Sequence, residues 1–129
     1  MSNLKLNNGT IIGNYKKPYI VAELNTSHFG EISQAKKLIH QAKMSGCDAI
    51  KLQSWTSESL YSKSFYKKNP ISKRLFDKFS ISEKQMFELW EYSKKIQIDF
   101  CSTPYSKIEV DFLVEKLNVP YLKVASMDL

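Results

Sequence analysis

A chain of 129 residues has the length of one domain, with enough material for a core if its elements close on one another. Hydrophobic residues make up 43% and charged residues 25%, the balance expected of a soluble globular protein, and no apolar run approaches the ~20 residues of a membrane span. The formal net charge is +6, much of it in "SKSFYKKNPISKRLFDKF" (62–79), yet no nucleic-acid motif accompanies it. A solvated face, or a field that draws in a small anion, is therefore preferred over a basic nucleic-acid-binding module. The opening "MSNLKLNNGT" lacks the apolar stretch of a secretory signal, which makes the cytoplasm the expected compartment. Cys47 and Cys101 stand alone, without a CxxC or metal-ligand spacing, and read as reduced core residues.

Along the chain, "LKLNNGTII" alternates apolar and polar residues around Asn8-Gly9, the signal of a hairpin. "YIVAEL" (19–24) predicts a first buried strand. It ends on Glu23, and His28 and Gly30 follow closely. Over 31–45, Ile32, Ala35, Leu38, Ile39 and Ala42 recur at helical spacing, with Gly46 where a left-handed C-cap belongs. "AIKLQ" (49–53) predicts a second strand. Residues 54–80 then form a connection far longer than the ~2–6 residues usual between strand and helix. They carry Trp55, Tyr61, Phe65 and Tyr66 beside Lys63, Lys67, Lys68, Lys73 and Arg74, and are expected to form a partly helical cover over the strand ends. The plainer alternative is an excursion that packs on the rim.

Ser82 with Gln85, and Ser106 with Glu109, have capping-box spacing ahead of two further helices. "IDFCST" (98–103) and "YLKVAS" (121–126) predict the third and fourth strands. Alternating strands and helices make a parallel α/β protein, with the sheet expected to be covered on both faces. A closed α/β barrel needs about eight such units and ~250 residues. The fold expected is the N-terminal half of a (β/α)8 TIM barrel, strands 1–4, preceded by the short hairpin. An open doubly wound sheet is less favoured, because the Gly-rich phosphate fingerprint is missing after the first strand.

Chemistry in parallel α/β folds collects at the C-terminal ends of strands. Here those ends carry Glu23, Asn25, Ser27 and His28; Lys51 and Gln53; Ser102 and Thr103; and Lys123, Ser126 and Asp128. Each has a plainer reading. Glu23 and Lys51 can be a structural ion pair, His28 a hydrogen-bonded turn residue, and Ser102-Thr103 a helix cap. Lys123 can point away from the site. Taken together, two lysines, two carboxylates and several hydroxyls converging at one end suit an anionic substrate held by charge-assisted hydrogen bonds.

"VAELNTSHFG", "DAIKLQSW", "FCSTPYSKIEVDFL" and "VPYLKVASMDL" resemble the signature segments of the sialic acid synthase family, in order, from about residue 11 onward. That resemblance implies a metal-dependent (β/α)8 barrel followed by a small antifreeze-like domain. Residues 1–129 would be the first part of the barrel, with the remainder and the second domain beyond them. It implies an enzyme that condenses phosphoenolpyruvate with an N-acetylated hexosamine such as N-acetylmannosamine, giving a nine-carbon nonulosonic acid and phosphate. By motif, Glu23 matches the catalytic strand-1 glutamate. Lys51, Gln53, Thr103, Lys123 and Ser126 fall at positions for phosphoenolpyruvate, Asp128 matches an acidic position near the amino sugar, and Ser102 and His28 fall among the substrate-binding residues. The divalent metal, Mn or Mg, would take its ligands beyond residue 129, and the complete enzyme would be a homodimer. Ser27-His28-Phe29-Gly30, Asn25-Thr26 and Met127 depart from the common pattern and leave the sugar open among N-acetylmannosamine and the legionaminic and pseudaminic acid precursors. Rival readings are a Schiff-base aldolase using Lys51 or Lys123, an inactive fragment, and the basic module above.

Overall fold

The computed structural model describes residues 3–128. A small antiparallel hairpin comes first, β1 (Leu4–Lys5) against β2 (Ile11–Ile12), with Leu4 opposite Ile12. Its turn falls at Asn8-Gly9 as expected, and Gly9 takes the positive φ (+89°) that residues with a Cβ rarely adopt.

The main sheet is parallel and runs β3 (Val21–Glu23), β4 (Ala49–Ser54), β5 (Asp99–Pro104), with β4 in the centre. In register, Glu23 sits beside Lys51, Lys51 beside Cys101, and Gln53 beside Thr103. Successive side chains of a strand point to opposite faces, so these residues share one face and Ile50, Leu52 and Phe100 share the other. The core lies on the second face. There Ile50, Leu52 and Phe100 pack with Ala35, Ile39 and Ala42 of α1 (Ile32–Met44), with Met86 and Leu89 of α5 (Glu83–Lys95), and with Leu113 and Leu117.

The two long helices begin and end where their local signals place them. Ser82 and Gln85 form a reciprocal capping box at the start of α5. At the end of α1, Gly46 (φ +84°) donates to the Lys43 carbonyl at 3.0 Å and Cys47 to that of Ala42 at 3.1 Å, the two bonds of a Schellman cap. Ser106 behaves differently from expectation. Its hydroxyl donates to the Glu109 carboxylate instead of accepting a backbone N–H, and α6 (Lys107–Asp111) passes at once into a π-helical turn over Phe112–Lys116.

Three expectations about the sheet are corrected. Helices cover one face only, and the first strand is not fully buried, since Ile20 is 50% and Val21 36% exposed at the sheet edge. The fourth strand, 121–126, shrinks to a single parallel bridge between Ser102 and Leu122, followed by a 3-10 turn at Ser126–Asp128. Pro120 offers no N–H, and among the described residues no strand lies beyond 121–126 to complete a second ladder. The result is a parallel α/β arrangement that fits part of a barrel, with its polar face open.

The connection 54–80 holds three short helices, α2 (Ser57–Leu60), α3 (Lys63–Lys68) and α4 (Pro70–Phe79). Its aromatic residues chiefly pack on one another: Tyr61 stacks on Phe65 at 4.3 Å and on Phe76 at 5.6 Å, and the buried Trp55 meets Phe76 edge-on at 5.7 Å. The far end of α4 closes on the loop after β3, where Phe29 meets Phe79 and Gly30 lies against the Lys78 carbonyl.

Candidate active site

The open face of the sheet ends in a cleft of about 310 Å³, lined by residues from each parallel segment: Glu23, Lys51, Gln53, Thr103, Lys123 and Ser126, together with Tyr105. Lys51 is its centre. The ammonium is ion-paired with the Glu23 carboxylate and donates to Thr103 Oγ1 at 3.3 Å, so β3, β4 and β5 each contribute one group. The other Glu23 oxygen accepts the N–H of Asn25 at 2.9 Å, across a tight turn in which Asn25 takes φ +41°. The ion pair foreseen as a plain structural alternative is therefore present. Both of its partners still line the cleft.

Five of the strand-end residues singled out from the sequence, Asn25, Ser27, His28, Ser102 and Asp128, do not line this cleft. Ser102 falls on the core face, fully buried, with its hydroxyl 2.7 Å from that of Ser54. His28 is also buried. Its Nδ1 accepts the Gly30 N–H at 3.0 Å, and burial holds the imidazole below its usual pKa, opposed by a hydrogen bond to the Asn25 backbone. Asp128 is exposed in the 3-10 turn beyond Ser126.

Below the cleft the open face carries a group that sequence reasoning missed. The Tyr19 hydroxyl donates to Asp99 Oδ2 at 2.6 Å, Asn8 of the hairpin donates to the same oxygen at 2.7 Å, and Tyr121 packs edge-on against Tyr19. Burial, then the Asp99 carboxylate, drives the Tyr19 phenol well above the ordinary tyrosine range, which keeps it a hydrogen-bond donor. Burial also pushes the Cys101 thiol up to about 11, so it stays an unreactive thiol at neutral pH. Tyr19 shares the parity of Glu23, and Tyr105 and Asp99 that of Thr103. Period-two counting back and forth from the strand ends was the available signal.

The basic stretch is partly neutralised. Lys73 reaches Asp77 at 2.9 Å and Ser57 Oγ at 3.3 Å, and lies over the Tyr66 ring. Among the described residues no three His, Cys, Asp or Glu side chains converge on a point that would hold a metal ion. The residues present do not by themselves fit the divalent cation that the family resemblance implies. Among the same residues no helix is long and apolar enough to cross a membrane.

The sequence profile of the NeuB family matches residues 38–129. The chain is 41% identical over 120 residues to uncharacterized protein MJ1065 of Methanocaldococcus jannaschii, covering 92% of this chain and 33% of that protein. It is 32% identical to the N,N'-diacetyllegionaminic acid synthase of Legionella pneumophila, covering 99% of this chain and 38% of that protein. Among solved structures, the N-acetylneuraminic acid (sialic acid) synthetase of Leptospira borgpetersenii, crystallised with citrate, superposes with a TM-score of 0.86 at 28% identity. That match covers 98% of this chain and 42% of the other. The chain thus spans between about a third and two fifths of the length of these relatives. The profile match, the relatives and the shared fold agree with the motifs at the strand ends: the chain belongs to the NeuB family, that of the sialic acid synthases.

Proposed function

We propose that this chain supplies the phosphoenolpyruvate-binding part of a nonulosonic acid synthase built on a (β/α)8 barrel, acting on an N-acetylated hexosamine such as N-acetylmannosamine. The observation that carries the reading is the placement of Lys51, mostly buried, at the mouth of a parallel sheet between Glu23 and Thr103, in a cleft shared with Lys123. Lys51 and Lys123 bring two cations to a cleft lined by one carboxylate, that of Glu23; the surplus positive charge suits an anion, and phosphoenolpyruvate brings a carboxylate and a phosphate. Lys51 and Lys123 would neutralise these groups, and Gln53, Thr103 and Ser126 would fix their orientation by hydrogen bonds.

In the reaction, the methylene carbon of phosphoenolpyruvate forms a bond to the aldehyde carbon of the open-chain sugar, and the aldehyde oxygen gains a proton. Water adds to the enol carbon, the bond from that carbon to the phosphate oxygen breaks, and inorganic phosphate leaves. Glu23, at the edge of the same cleft, would stabilise the positive charge that develops at the enol carbon or carry a proton. The second substrate, the divalent metal with ligands from residues past 129, a cytoplasmic location and a homodimeric complete enzyme belong to the same proposal.

Phosphate release from phosphoenolpyruvate, assayed with each candidate N-acetylated hexosamine, tests it. Bridging-oxygen label should appear in the phosphate. Borohydride with pyruvate should leave Lys51 and Lys123 unmodified. A trapped lysine adduct would instead establish a Schiff-base aldolase.

A further inference from the structure

The cleft changes character along the strand direction. At its depth Lys51 is ion-paired with Glu23 and donates to Thr103 Oγ1 at 3.3 Å. Two residues on from Thr103, a step that restores the same facing, Tyr105 lines the same cleft. It is the only aromatic side chain among the described lining residues, and with Ala125 and Met127 it forms the apolar part of the wall. Met127 is 59% exposed and marks the rim, whereas Ala125 is buried; of the two lysines Lys51 lies deep, 12% exposed, and Lys123 is exposed at the side of the cleft.

Tyr105 is also held from behind. It stands between Pro104, the last residue of β5, and Ser106, whose hydroxyl donates to one oxygen of Glu109. The other Glu109 oxygen accepts from Ser59 of α2 at 2.9 Å. A single carboxylate thus fastens the Tyr105 loop to the helical connection over 54–80. Burial, then the neighbouring charge of Asp128, raises the Tyr105 phenol above its ordinary value, so it remains a hydroxyl able to donate.

We infer that Tyr105 is a specificity-determining residue for the sugar, receiving the N-acetylated hexosamine on the open side of the cleft while phosphoenolpyruvate lies against Lys51 and Lys123. The inference rests on the synthase reading above. Phosphoenolpyruvate is small and highly charged, and Lys51 with the buried Thr103 hydroxyl at the depth of the cleft, joined by Lys123 at its side, match it. An N-acetylated hexosamine is neutral; its C–H face and acetamide methyl need apolar cover, which an aromatic ring and a thioether supply. The two substrates must meet carbon to carbon, so the sugar approaches from the open side, where Tyr105 and Met127 stand.

Steady-state phosphate release by the complete synthase, with phosphoenolpyruvate and N-acetylmannosamine varied separately, tests this. Tyr105→Ala is expected to raise the sugar KM roughly tenfold, the scale of one lost apolar contact. The phosphoenolpyruvate KM should stay within about twofold of wild type, because uniform binding of that substrate is untouched. Tyr105→Phe keeps the ring and is expected to raise the sugar KM about threefold through the lost hydrogen bond. If the alanine variant does not fold, the phenylalanine variant decides. A sugar KM equal to wild type, or a phosphoenolpyruvate KM that rises in parallel, overturns the role of Tyr105 while leaving the synthase reading intact. Absence of phosphate release by the wild-type enzyme with every N-acetylated hexosamine would instead overturn the synthase reading, and this inference with it.

Discussion

The Lys51 side chain is 12% exposed, whereas its partner Glu23 is 49% exposed, so the two ends of one ion pair live in different surroundings. Truncating a mostly buried cation that faces an anion typically costs ~2–5 kcal/mol of binding. Lys51→Ala is therefore expected to raise the phosphoenolpyruvate Kd by orders of magnitude, read by calorimetry on the complete synthase. Glu23→Gln keeps the shape and the hydrogen bond from Asn25. It should lower kcat and leave phosphoenolpyruvate affinity nearly unchanged. Affinity lost with turnover retained would contradict the role given to Glu23.

His28 makes a separate prediction about pH. Its folded-state pKa lies below the ordinary 6.5, chiefly through burial, so below about pH 6.5 the unfolded chain binds a proton that the folded chain refuses. Stability is full above that value and is lost as pH falls toward the depressed folded pKa. The Asp48 carboxyl, held low mainly by the Ile20 N–H, acts only below its ordinary 3.8, in a separate window. The urea midpoint should fall between about pH 7.5 and 5 in the wild type, and His28→Gln should flatten that slope. An unchanged slope would remove His28 as the source.

At the level of elements, two glycines with nearly the same backbone angle separate local conformation from packing. Gly46 (φ +84°) has open space where a Cβ would stand. Gly30 (φ +79°) would place that carbon 2.0 Å from the Lys78 carbonyl oxygen. Gly46→Ala should cost about 1–2 kcal/mol, the left-handed penalty alone. Gly30→Ala should cost clearly more, because the loop after β3 and the end of α4 must move apart. Chemical denaturation of both variants checks the difference. Equal losses would mean that α4 is not seated on that loop.

Across the whole molecule, the helices cover one face of the sheet and leave β3 as an edge beside exposed Ile20 and Val21, with Val124 55% exposed near the other side. An apolar edge with unpaired backbone groups is a template for strand addition. The 129-residue chain by itself is expected to associate as its concentration rises, seen in sedimentation velocity, and Ile20→Lys should shift it toward monomer. A wild-type chain that remains monomeric at high concentration would show that the edge is protected.

Much of this architecture was legible from local chemistry. Asn8-Gly9 marks the hairpin, Ser82 and Gln85 start α5, Gly46 ends α1, and the alternation in "AIKLQ" sends Lys51 and Gln53 to one face. Each signal acts within a few residues, so the sequence alone carries it. The side of the sheet taken by each serine and threonine was different. Ser102 and Thr103 must face opposite ways, and only their pairing with Leu52 and Gln53 puts Thr103 in the cleft and Ser102 in the core. The same holds for 121–126, whose strand-like pattern meets a partner on one side only and keeps one bridge, and for Tyr19, Asp99 and Tyr105. Register and the second neighbour of a strand are long-range contacts, and no window of sequence contains them.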